Sequence, residues 1–136
     1  MTGIDPKTAD TTALAYLGDA VYEVYIRKYV LKKGRGPMHQ INRLAVRYVC
    51  ADSQAAAVKE LMASAFLTEQ ETRLVKRARN RTNTPKPRGT TPQDYKLATG
   101  FEALIGWLYS DGQTERLEQV VREAVRIIEE EEKGGR

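Results

Sequence analysis

The stretch ALAYLGDAVYEVYIRKYVL, residues 13 to 31, decides how this chain is read. At about 100° per residue, Leu14, Leu17, Val21, Val24 and Tyr25 fall on one side of a helix. Ala15, Asp19, Tyr22 and Ile26 fall on a second side. A helix with two apolar sides packs twice, either within its own domain or with one side against a second subunit. Asp19 stands in the middle of the second side. An unpaired carboxylate buried there is costly enough to take up a proton or to recruit a cation.

Outward from this segment the pattern stays helical. Asp10, Thr11 and Thr12 are candidate N-caps, and Gly34 to Pro37 ends the helix that begins near Ala13. In the next segment Ile41, Leu44, Ala45 and Tyr48 recur at i, i+3, i+4 and i+7, and a third helix is expected from Asp52 or Ser53. Thr68, with Glu71 three residues on, has the spacing of a capping box and opens a fourth. Asn80 to Gln93 holds three prolines, a glycine and four threonines, and it reads as a loop. Leu97, Phe101, Leu104 and Leu108 mark a fifth helix, and a sixth is expected from about Thr114 to Glu132. No pair of alternating strands flanks an Asn-Gly or Asp-Gly turn. The expectation is one all-α domain of about six helices over residues 1–136.

With 136 residues, 41% of them hydrophobic and 29% charged, the chain suits a single globular domain and not a disordered one. No apolar run approaches the roughly 18 to 20 residues of a membrane span, and the N-terminus has no apolar core for a secretory signal, so a cytoplasmic location is expected. Cys50 is the only cysteine, which excludes an internal disulfide and fits a reducing compartment. The net charge of +4 is local: Lys76, Arg77, Arg79, Arg81, Lys86 and Arg88 follow one another without an acid, and the rest of the chain is net negative. These residues are expected on a basic loop at about 76–93.

The fifth helix repeats the arrangement of the first. Its core stripe is Leu97, Phe101, Leu104 and Leu108, while Glu102 shares the far side with Ala98, Thr99, Ile105, Gly106 and Tyr109. Small residues beside an acid let another helix approach closely. Asp19 and Glu102 could therefore converge on a hard divalent cation, which prefers oxygen ligands. The other reading has each acid cap a helix or pair with one of the 22 lysines and arginines.

The residues YLGDAV (Tyr16 to Val21) and FEALIGWLY (Phe101 to Tyr109) resemble the two signature motifs of the ribonuclease III family, in the family's order. The likeness covers nearly the whole chain, including INRLAVRYVCADSQA between the motifs. It implies a helical endonuclease domain, homodimeric, that hydrolyses double-stranded RNA with Mg2+, for which Mn2+ can substitute. Asp19 and Glu102 carry over as catalytic residues and metal ligands. Two departures narrow the match: Ala15 and Thr99 stand where the family usually has further acids. A short chain without a double-stranded-RNA-binding domain is similar to the Mini-ribonuclease III type. That likeness implies maturation of the large-subunit (23S) ribosomal RNA precursor, with a ribosomal protein as a candidate assembly partner.

On this reading Ala15, Tyr22 and Ile26 would face a second subunit across a two-fold axis. Glu23, one turn after Asp19, is a candidate third metal ligand, or else a partner of Arg27. The six basic residues would contact RNA phosphates in place of the missing binding domain, or else form a solvated loop. Cys50 and Trp107 are expected to be packing residues, and Glu129 to Glu132 a solvated helix end. The competing function is a catalytically inactive domain that binds structured RNA as a scaffold.

Overall fold

The computed structural model describes residues 5–82 and 88–133. Six helices carry most of them: α1 (Thr11–Lys33), α2 (Met38–Val49), α3 (Ala51–Ala63), α4 (Glu69–Arg81), α5 (Pro92–Ser110) and α6 (Thr114–Lys133). Among the described residues there is no strand. Several of the helix starts have a local cause. The Asp10 carboxylate accepts from the amides of Thr12 and Ala13. Thr68 and Glu71 form both halves of a capping box. Thr91 accepts from the Asp94 amide, and Pro92 occupies the first turn, where a missing N–H costs nothing. The loop before α5 is therefore shorter than the composition suggests, because Asn80 and Arg81 extend α4 and Pro92 already belongs to α5. Asp52 does not cap α3. Cys50 ends α2 and starts α3 without a side-chain cap, and it is exposed where packing was expected.

Helix α5 is the axis of the fold. From Ala103 to Leu108 every residue is buried, Leu104, Ile105, Trp107 and Leu108 among them, and a helix stretch of that kind has to be enclosed by others. Helices α1, α3, α4 and α6 enclose it. The contact with α1 is the closest. A Cβ at Gly18 would lie 1.7 Å from the Glu102 carbonyl oxygen, and one at Gly106 would lie 2.0 Å from that of Leu14. The two backbones touch there, and no residue larger than glycine fits.

This crossing corrects the expected subunit interface. Ala15, Tyr22 and Ile26 do not face outward: Ala15 is buried, and Tyr22 and Ile26 are wholly inaccessible. The glycines let α5 come so near that the second side of α1 becomes core. Tyr22 meets the Phe101 ring edge-on at 5.0 Å, and its hydroxyl donates to the Tyr48 carbonyl at 3.1 Å. The exposed apolar residues of α1 lie elsewhere. Ala13, Ala20, Val24 and Leu31 fall in one stripe, with Val24 59% and Leu31 57% exposed.

Charged groups fix the outer helices. The glutamates of α6 are not simply solvated. Glu129 accepts from the hydroxyls of Tyr29 and Tyr48 and from Lys33, and Glu132 pairs with Arg47, so that α6 is tied to α1 and α2. Glu71 is buried, and Arg116 donates to both of its carboxylate oxygens, at 2.9 and 2.7 Å. Burial by itself would raise the Glu71 pKa. The Arg116 and Thr68 hydrogen bonds outweigh it and hold the group below the usual carboxylate range. A carboxylate depressed in this way stabilises the fold above its unfolded pKa of about 4.3, and the contribution is lost as pH falls through the lower folded value. Glu71→Gln is therefore expected to lower stability at pH 7 and to lessen its loss as pH falls below about 4.3, which urea denaturation at neutral and acid pH would read.

Candidate active site

Asp19 and Glu102 are brought together by the glycine crossing. Gly18 immediately precedes Asp19, and its Cα rests on the carbonyl of Glu102 itself, so the contact that sets the helices also sets the acids. The two side chains line one cleft of about 180 Å³ with Thr12, Ala15, Tyr16, Arg81, Thr82, Tyr95 and Thr99. Asp19 lies at the exposed rim, and Glu102 lies deeper. Burial first, then the charge of Asp19 and a hydrogen bond with it, push the Glu102 carboxyl up to about 8, against a hydrogen bond from Gln54 that favours the ionised form. With its pKa raised this far the Glu102 carboxyl holds its proton at neutral pH in the absence of a cation, and a bound cation would remove the reason to hold it.

The donor set suits a hard divalent cation. It offers carboxylate oxygens with hydroxyls nearby, and no sulfur or imidazole. A further observation points the same way. Gln54, 1% exposed, has a buried Oε1 with no hydrogen-bond partner, beside Glu102. A buried unsatisfied polar atom costs about 1–3 kcal/mol and is uncommon away from functional sites. Among the described residues no third acid, histidine or cysteine joins the pair. Glu23 does not line the cleft and instead sits 3.6 Å from Arg27. Thr99, where the family usually has an acid, gives its hydroxyl proton to the Tyr95 carbonyl at 3.0 Å.

The basic residues separate into groups that the sequence did not distinguish. Lys76, Arg77, Arg79 and Arg81 belong to α4 and not to a loop. At about 100° per residue, Arg77 and Arg81 fall on one flank of that helix, and Lys76 and Arg79 on the other. Arg81 lines the acid cleft. Arg77, expected to meet RNA, instead donates to the carbonyls of Ala9 and Pro6 and anchors the segment that leads into α1. Arg88 is exposed on the approach to α5, where Thr90 donates to Asp52 at 2.8 Å and Lys59 lies 3.6 Å from Asp94. Lys86 lies outside the described residues. Tyr16 and Tyr95, which the motifs did not single out for function, form walls of the cleft; Tyr16 is three residues before Asp19 and so shares its face.

Comparison with known proteins agrees with this geometry. The Ribonuclease III domain family model matches residues 12–113. The chain is similar to the Mini-ribonuclease 3 of Symbiobacterium thermophilum, 44% identical over 92% of this chain and 95% of that one. It is also similar to the Mini-ribonuclease 3 of Enterococcus faecalis, 37% identical over 93% and 96%. A crystal structure of a Fusobacterium nucleatum protein superposes with a TM-score of 0.80 at 31% identity, covering 91% of this chain and 98% of that one. With the fold, both motifs and the whole span of these relatives in agreement, the chain belongs to the ribonuclease III family, whose members are endoribonucleases.

Proposed function

We propose that this chain hydrolyses phosphodiester bonds in double-stranded RNA, with Asp19 and Glu102 holding a divalent cation, Mg2+ or in its place Mn2+. The observation that carries the reading is the convergence in one cleft, beside an arginine, of two acids 83 residues apart in the chain and on different helices. Bound between these carboxylates, the cation would supply Lewis acidity toward the scissile phosphate and a lowered pKa for the attacking water. Asp19 and Glu102 orient it, Arg81 faces the phosphate, and Tyr16 and Tyr95 bound the space the strand enters. With Ala15 and Thr99 contributing no carboxylate, the chain's own donors suit one cation better than two. The products are a 5′-phosphate and a 3′-hydroxyl.

The active unit is a homodimer. Its supporting observation is the exposed stripe of Ala13, Ala20, Val24 and Leu31, an apolar surface on the helix that also carries Asp19. Two copies of the cleft can then act on opposite strands. The resemblance to Mini-ribonuclease III gives the large-subunit (23S) ribosomal RNA precursor as the substrate and a ribosomal protein as an assembly partner, in the cytoplasm. Among the described residues no helix is long and apolar enough to cross a membrane.

The test is cleavage of a long RNA duplex by the purified chain, with and without chelator, alongside its mass in solution. Mg2+-dependent cleavage on both strands by a species of two chains is expected. Duplex binding without cleavage would replace this reading with that of an RNA scaffold. The salt dependence of binding adds a residue-level check. Each phosphate contact contributes just under one unit to the slope of log affinity against log salt for duplex DNA, and a comparable contribution is expected for RNA. Replacing Arg81 and Arg88 with alanine should flatten the slope by about two units, whereas replacing Arg77 should lower stability and leave the slope nearly unchanged.

A further inference from the structure

Gln54 sits in the first turn of α3, buried between two elements that it does not belong to. Its Nε2 donates to the Val49 carbonyl at 3.0 Å, which satisfies one of the last carbonyls of α2. The same amide lies close enough to the Glu102 carboxyl to favour its ionised form. The Val49 carbonyl is an acceptor, so the amide cannot be turned over: Nε2 must face it, and Oε1 is left buried without a partner. The rest of the inner face of α3 is Ala55, Ala57, Val58 and Leu61. A leucine or methionine at position 54 would continue that face, cap nothing and leave no unpaired acceptor. Capping α2 does not account for the glutamine, since a buried amide serving that end alone would give up more than it gains.

We infer that Gln54 is a positioning residue for the cation site, holding the Glu102 carboxylate in the orientation in which it and Asp19 act together. The inference rests on the reading of those two acids as cation ligands. Residues that hydrogen-bond metal ligands set the ligand's direction and its readiness to bind, and their loss commonly lowers metal affinity 10- to 100-fold. Gln54 does this from a third helix, so the site is built by α1, α3 and α5 together.

The test is Mn2+ binding to Gln54→Met, which keeps side-chain length and removes both the donors and the orphan acceptor. Free Mn2+ is followed by its electron paramagnetic resonance signal, without RNA. The expected result is an affinity about 10- to 100-fold below wild type, with a far-ultraviolet spectrum like that of wild type and unaltered binding of an RNA duplex measured in chelator. Should Gln54→Met not fold, Gln54→Asn retains the amide but withdraws it by one methylene, and it is expected to weaken Mn2+ binding in the same sense. Binding within twofold of wild type in the folded variant overturns the inference and leaves Gln54 as a cap for α2. Failure of the wild type itself to bind Mn2+ at millimolar concentration overturns the underlying assignment of Asp19 and Glu102 instead.

Discussion

Asp19→Asn and Glu102→Gln are each expected to lower duplex cleavage about a thousandfold or more, the scale on which removing one preorganised charge from a reacting site acts. Both substitutions keep volume and hydrogen-bonding capacity, so helical content and duplex binding should stay near wild type. The two should differ in stability. Glu102 is half-buried against another carboxyl, and the loss of water together with Asp19 raises its pKa to about 8. A carboxyl raised in this way contributes most to the fold below its unfolded pKa of about 4.3, and the contribution is lost as pH rises toward 8. In chelator, Glu102→Gln should therefore melt above wild type at pH 8, and the difference should shrink toward pH 5. Wild-type cleavage by either variant would remove that residue from the site; an unchanged melting temperature for Glu102→Gln would contradict the burial of its charge.

Gly18→Ala and Gly106→Ala should have the largest effects on the fold of any single methyl group added to this chain. The new carbon would meet a backbone oxygen at 1.7 Å in the first case and 2.0 Å in the second, and backbone cannot swing aside as a side-chain end can. In the middle of an exposed helix, glycine to alanine stabilises by roughly 1 kcal/mol. Here the sign should reverse, with a loss of about 3 kcal/mol or more at either position, because α1 and α5 must part for the methyl to fit. Cleavage should fall further than stability alone explains in any fraction that remains folded, since the helices that part carry the two acids. Chemical denaturation with a parallel cleavage assay would measure both. A stability equal to wild type for either variant would mean that the crossing is looser than described.

The helices were legible in the sequence because their signals are local. Thr68 and Glu71 name the start of α4, and Leu97, Phe101, Leu104 and Leu108 name the buried side of α5. The acid pair was legible through the resemblance of YLGDAV and FEALIGWLY to the family's motifs; the small residues beside each acid allowed a shared cation but equally allowed separate partners. What escaped depends on which helix fills which space. Ala15, Tyr22 and Ile26 are apolar in the same way whether they meet a subunit or α5, and only the depth of the glycine crossing decides between the two. Arg77 and Arg81 carry the same charge four residues apart, yet one is used to anchor the N-terminal segment and the other lines the cleft. Gln54 did leave a trace in the sequence: it is the one polar residue on a helix face continued by Ala57, Val58 and Leu61. Reading it correctly requires knowing that Glu102 lies opposite.

The touching of α1 and α5 at Gly18 and Gly106 also separates two things that are often lost together. Neither acid owes its place to a loop or to the form of its own helix; both owe it to docking. In a compact state that keeps its helices but loses fixed side-chain packing, both acids would still be helical and no site would exist. Enzymatic turnover in this chain is thus a gauge of native tertiary structure, silent in any collapsed, fluctuating form whose circular dichroism still reads as nearly folded.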